Sequence, residues 1–428
     1  MIALVDKLLQ APEPAAAQER VAAARRRALK GLMQVGLPTT RHERWKYTSL
    51  KLLERREYDW QLPGEREALL QRARDTVAEL PSSGLVVFGG GQLLLADIEA
   101  STRDALGASA LSGALQDAPE RALEALEAEL ENPDDGFAWL SLSRAADGLL
   151  LDVNEGVQIE HPLHIVYAEP EDSRGAWNYR HHWRLGAGSG LKLVEHHLEQ
   201  GAGLTNVYTG VELGAGAGLG HAGFNAAGNQ SILIDRLDVD QCGDSRLGCD
   251  LLDLGARIGR RDVNVYLNQP GAVARLGGVM LVPGRRHVDQ HLCAHHRAAN
   301  CSSRQRFRAI GAGHGRGVFN TKAVVAQGAD GSEVDQNSAN MLLSPDAEID
   351  TKPELEIYAD EVQASHGATI GRIDEDAMYY LRCRGLDREQ ARQLLLQAFV
   401  NTAIEAIPDD ALRARALQRA ATELEKMQ

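Results

Sequence analysis

Six potential metal ligands crowd one short stretch, HVDQHLCAHHRAANC (287–301): His287, His291, Cys293, His295, His296 and Cys301. On a strand, His291, Cys293 and His295 would face one side together, a donor set that suits zinc. No C-x-x-C or H-E-x-x-H spacing accompanies them, so a structural or surface role is the expectation. GLGHAG (218–223) matches the dinucleotide pattern G-x-G-x-x-G. FNAAGNQ follows it where a helix would have to meet the pyrophosphate, so the cofactor reading falls. No G-x-x-x-x-G-K-[ST] occurs, and any ATP chemistry must come from a partner. Neither a G-x-S-x-G elbow nor a local Ser-His-Asp or Cys-His order marks a nucleophile.

A further histidine sits alone in IYADEVQASHGATIG (357–371). Leu355, Ile357 and Ala359 place apolar residues at odd positions; after Asp360 and Glu361 the phase moves to Val362, Ala364, Ala368 and Ile370. A one-residue phase change turns side chains to the other face, which predicts a bulge or bend near Asp360–Glu361. His366 then lies on the apolar face between two alanines, and phase alone favours a packed core histidine.

The elements that must position these residues fall into three segments. Residues 1–144 read as mostly helical: AQERVAAARRRALKGLMQVG (17–36) ends at Gly36 with Pro38 beyond, and 109–132 carries Leu123, Leu126 and Leu130 at helical spacing. GLVVFGGGQLLLAD (84–97) reads as two short strands about a glycine turn. From 145 the period becomes two, and the chain repeats itself. LGAGSGL (185–191) recurs as LGAGAGL (213–219), and the same offset reaches QCGDSRL (241–247) and QPGAVAR (269–275). A second series runs through Gly201, Gly228, Gly255, Gly284 and Gly313. Turn residues at a steady period with β-rich sequence between them predict a solenoid, a mainly β fold with a β-helix core over 145–370. Residues 371–428 read as helices that cover one end of it. Asp374 caps the first, Gly385 stops it, Asp387 and Gln390 form a capping box, and Leu394, Leu395, Ala398 and Phe399 supply the apolar stripe.

A formal charge of −14 argues against a nucleic-acid partner. RRRALK (25–30) and GRR (259–261) are expected to be solvated faces. No apolar run is long enough for a membrane helix, and the N-terminus lacks a signal-like apolar core. Five cysteines without regular spacing make no disulfide framework, which points to a reducing cytoplasm. Aromatic content of only 5% weakens a carbohydrate-active β-helix enzyme, and an independent metal-binding β-helix protein remains the other alternative.

RHERWKYTSL (41–50), DGLLLDVNEGVQIEHPLHIV (147–166) and above all DTKPELEIYADEVQASHGATIGRIDEDAMYYLRCRGL (350–386) resemble the SufB/SufD family of iron–sulfur cluster assembly scaffolds. The resemblance implies a right-handed parallel β-helix flanked by helical domains, and a non-catalytic subunit. It would pair with a SufB-type paralogue and bind a SufC-type ABC ATPase through its C-terminal helices. The nascent cluster would form at the SufB–SufD seam. The resemblance implies no cofactor held tightly by the isolated chain, a transient iron–sulfur cluster in the complex, and leaves open a reduced flavin there. His366 matches the histidine of the family's C-S-H-G-A-T motif, implicated in holding iron, an ion that imidazole suits. Ala364 stands where many relatives have cysteine, so no thiolate comes from that point. Cys383 falls where relatives often have serine, and its helix is expected to pack on the solenoid's end. For ATPase docking, the matching helix offers Tyr380, Leu381, Arg384, Gly385 and Leu386. An unpaired final edge would also let the isolated chain form a homodimer.

Overall fold

A computed structural model describes residues 2–14, 18–60, 66–127, 130 and 132–427. The alternating segment forms a parallel β-solenoid built from a ten-stranded and a nine-stranded sheet. Each coil contributes one strand to each: Leu204–Leu213 lies in the nine-stranded sheet, Gly218–Asn225 in the ten-stranded one, and Gly228–Gln241 returns to the first. GLGHAG therefore begins a strand, with no helix to receive a phosphate.

The repeat seen in the sequence is the corner between the sheets. Gly188, Gly216, Asp244, Gly271, Asn300 and Gly331 follow one another there with φ between 57° and 77°. Asp244 and Asn300 are the non-glycine members, and their short polar side chains are the ones that tolerate this left-handed region. A Cβ on Gly271 would stand 2.3 Å from the Asp244 Oδ1, so the side chain of one coil requires its absence in the next. Gly228, Gly255, Gly284 and Gly313 mark the opposite corner, also with positive φ.

Inward-facing Leu, Val, Ile and aromatic side chains fill the solenoid, among them Leu163, Leu193, Leu237, Val263, Leu276 and Phe307. The predicted hairpin appears as Gly84–Gly89 and Gln92–Ile98, and its first strand pairs parallel with Leu163–Tyr167, extending the ten-stranded sheet. The helix Glu19–Val35 ends at Gly36 as expected. The run 109–132 is two helices, Leu111–Asp117 and Pro119–Glu127, because Pro119 cannot continue the first. Residues 128, 129 and 131 of that run lie outside the described residues.

Three expectations are corrected. The C-terminal helices do not close the solenoid's end. Arg388–Ile404 and Asp410–Glu425 lie on the outer face of the ten-stranded sheet, because Val194, Phe224, Leu252, Val279, Leu281 and Ile310 make that face apolar. The buried stripe of Arg388–Ile404 is Ala391, Leu396, Val400 and Ile404; Leu394 and Ala398 are exposed, and Leu395 and Phe399 half-buried. The basic runs are solvated only in part: Arg26, Arg27 and Lys30 are exposed, whereas Arg25, Arg260 and Arg261 are buried. Arg25 is buried and donates to the Ala145 carbonyl at 2.9 Å. Arg260 is buried on the outer face against Asp262 (2.8 Å) and Asp289 (2.6 Å), with its guanidinium 4.1 Å from the Trp45 ring. Its neighbour Arg261 points inward to Asp235, since adjacent strand residues face opposite sides.

Candidate functional site

Both sheets end in the same coil. Glu348–Ile357 is the last strand of one and Val362–Gly371 the last of the other, and each is paired on one side only. The corner between them carries Asp360 and Glu361, whose backbone amides are held by the Asp330 side chain at 3.2 and 3.5 Å. The phase change is thus a solenoid corner rather than a bulge.

Register places His366 opposite Gln336, and the same column continues through Gln305, Leu276, Cys249, His221 and Leu193. All of these are buried inward-facing residues, so His366 does occupy the core-facing phase, flanked by Ala364 and Ala368. It is nonetheless exposed, because no further coil lies beyond it. The packed-histidine reading is therefore corrected: the position is lumenal, and the lumen is open there. Ile357, Tyr358 and Ile370 stand exposed around the same rim.

The lumen turns polar directly beneath this opening. Gln305 Nε2 donates to the Lys322 carbonyl at 3.2 Å, and Gln336 Nε2 to Gln305 Oε1 and to the Glu354 carbonyl, both at 3.4 Å. Asn340 Nδ2 donates to Ser338 Oγ and to the Thr369 carbonyl, both at 2.9 Å. Among the described residues, no three His, Cys, Asp or Glu side chains are placed to hold a metal ion. His366 is therefore a single potential donor at the opening.

The dense cluster at 287–301 is dispersed into local contacts. His291, Cys293 and His295 do share the outer face of the strand His287–His296, while His296 points inward to Ser303 Oγ at 2.8 Å. His291 bonds Asp289 at 2.9 Å, and Cys293 lies 3.2 Å from His295, which stacks on Tyr266. Burial pushes the Cys293 thiol up to about 11. The segment RHERWKYTSL covers this face: Thr48 shares its hydroxyl with His287 at 2.7 Å and with Asp289, and Arg44 pairs with Asp262 at 2.6 Å.

A second ionisable group escaped the sequence reading. Inside the solenoid, Glu195 Oε2 lies 2.7 Å from His221 Nε2, Tyr167 donates to Glu195 Oε1 at 2.8 Å, and Cys249 Sγ lies 3.4 Å from His221 Nδ1. Burial works against the His221 imidazolium, but Cys249 and the Glu195 carboxylate raise it to about 10. Burial likewise opposes the Glu195 carboxylate, and the His221 hydrogen bond more than offsets it, holding Glu195 below its usual range. The signal was available: His221 and Cys249, and Tyr167 and Glu195, are each separated by the repeat offset of 28.

The residues suggested for partner docking lie apart from His366, on the helix Glu375–Cys383 and the turn after it. Tyr380, Arg384 and Gly385 are exposed and Leu381 and Leu386 half-buried; Arg384 donates to the Tyr380 hydroxyl at 3.1 Å. Met378 is that helix's buried residue, and the helix rests on Arg388–Ile404 rather than on the solenoid's end, leaving Cys383 exposed. Tyr379 (69% exposed), Tyr380 (57%) and Leu394 (47%) make this an uncovered apolar surface.

Comparison with known proteins matches residues 167–399 to the SufBD core domain of the SUF system for FeS cluster assembly, and 13–165 to the SufBD protein N-terminal region. The iron–sulfur cluster assembly protein SufD of Escherichia coli K12 is 30% identical over 396 residues, covering 91% of this chain and 90% of that protein. The chloroplastic protein ABCI7 of Arabidopsis thaliana is 25% identical over 96% of this chain and 87% of its own length. The SufBD family protein slr0076 of Synechocystis is 30% identical across 50% of this chain and 47% of its own length. With both family regions spanning nearly the whole solenoid and its helices, the chain belongs to the SufB/SufD family of iron–sulfur cluster assembly proteins.

Proposed function

We propose that this chain is a non-catalytic scaffold whose open solenoid end pairs with the corresponding end of a SufB-type paralogue, with iron held at the seam by His366. One observation carries the reading: His366 stands on the inward column of the last coil, where both sheets present unpaired edges. Free edges are templates for another chain's strands. Of the two, Val362–Gly371 is the better template, because Glu348–Ile357 contains Pro353, which offers no N–H. A partner coil stacked there would bury Ile357, Tyr358 and Ile370 and enclose His366. Iron is cargo in this reading, and the partner completes the coordination that one imidazole cannot.

The exposed Tyr379, Tyr380 and Leu394 surface supports docking of a SufC-type ATPase on the C-terminal helices, which would supply the nucleotide chemistry this chain lacks. The same free edges would let the isolated chain pair with itself. Size-exclusion chromatography of the chain co-expressed with SufB-type and SufC-type proteins tests the proposal. Co-elution as one complex is expected; persistent elution of this chain without the other two would overturn it.

A further inference from the structure

The column beneath His366 has a fixed hydrogen-bond polarity. The Lys322 carbonyl can only accept, so Gln305 must turn its amide NH2 toward it and its Oε1 toward the next coil. Gln336 meets that Oε1 and the Glu354 carbonyl, two acceptors, so its NH2 is committed to them. Its own Oε1 is left buried without a partner among the described residues, in a side chain only 2% exposed. A buried unpaired acceptor is costly, and one facing a functional residue calls for an occupant. The next side chain in that column is His366, one strand spacing away, about 4.8 Å along the solenoid axis.

We propose that Gln336 is a positioning residue: its Oε1 accepts a hydrogen bond from one ring N–H of His366. That bond selects the imidazole tautomer and turns the other ring nitrogen toward the open end. Metal-ligating histidines commonly donate their second N–H to such an acceptor, which sets ring orientation and raises ligand basicity. His366 lies between Ala364 and Ala368 on an exposed strand, so the ring can rotate onto the oxygen unobstructed by its in-strand neighbours. A neutral amide suits the role, since it fixes the tautomer without adding a buried charge. The proposal rests on the reading of His366 as the iron-holding residue, and its test separates the two.

The full-length chain with isotopically labelled histidine reports the His366 tautomer through its ring-nitrogen shifts, assigned by comparison with His366→Ala. Wild type should show one dominant tautomer, and Gln336→Met, similar in size but lacking the acceptor, should revert to the mixture of free histidine. A free-histidine mixture in the wild type would overturn the proposal without reference to any variant. Cobalt(II) titration of the same proteins paired with the SufB-type partner, which would complete the coordination, is the second arm. Gln336→Met should weaken binding by about 10–100-fold in protein that is folded at the assay temperature, with a lowered thermal midpoint because Gln305 Oε1 and the Glu354 carbonyl also lose a donor. Unchanged tautomer and unchanged affinity in a folded Gln336→Met would also refute it. If His366→Ala leaves cobalt binding intact, the ligand reading of His366 fails, and the tautomer measurement alone decides the role of Gln336.

Discussion

Removing the buried Glu195–His221 pair one member at a time should cost far more than removing it whole. The two side chains are buried at 2.7 Å in the middle of the solenoid, with Tyr167 satisfying the second carboxylate oxygen. Breaking such a pair leaves an uncompensated buried charge, typically ~3–5 kcal/mol. Linkage agrees in direction: His221 is raised in the folded state, by Cys249 and by the Glu195 carboxylate. Glu195→Gln and His221→Leu should each lower stability by ~3–5 kcal/mol, while Glu195→Met/His221→Leu should lose much less than their sum.

The pH dependence has a definite sign. His221 is raised in the folded state, so its contribution is full below 6.5 and is lost as pH rises through about 10. Glu195 is depressed, so its contribution is present above 4.5 and is lost as pH falls through its lower folded value. The advantage of wild type over the double variant should peak between pH 4.5 and 6.5 and shrink on either side. Urea unfolding followed by tryptophan fluorescence is the assay, since buried Trp183 lies 6.3 Å from the His221 ring. Additive losses, or an advantage that does not vary with pH, would refute this reasoning.

Ile370→Lys should leave the chain folded, because Ile370 is already 49% exposed, yet weaken pairing with a SufB-type partner by more than tenfold, ~1.4 kcal/mol or more, measured by calorimetry. Tyr380→Ala should weaken ATPase docking by ~2 kcal/mol while sparing pairing at the open end, read by surface binding of each partner separately.

Much of the architecture was legible because a solenoid repeats. Turn residues at a fixed offset exposed the corners, and the phase switch after Ile357 located the last one. What the repeat could not disclose was which outer faces are covered. The C-terminal helices lie on the ten-stranded sheet because its outward residues Phe224, Leu252, Val279 and Ile310 are apolar. Reading the strands as inward-apolar only, period two conceals that second apolar face. The same limit misplaced Arg260 and Arg261: charge suggested solvent, whereas both are buried, one on the outer face and one inside, and neutralised by partners distant in sequence, Asp289 and Asp235. His366 was placed correctly on the lumenal phase, but burial depends on whether another coil follows, which a single strand's pattern does not encode. Gln336 was invisible for a related reason, since its significance lies in a register neighbour thirty residues away.

The most direct test of the central claim is nitrogen hyperfine spectroscopy of the cluster reconstituted anaerobically on the assembled complex, with labelled histidine confined to this chain. A histidine-nitrogen coupling that disappears in His366→Ala, with the complex still intact and cluster yield reduced, is the expected result. A cluster that forms in full yield on the His366→Ala complex, or a coupling that survives the substitution, would contradict it.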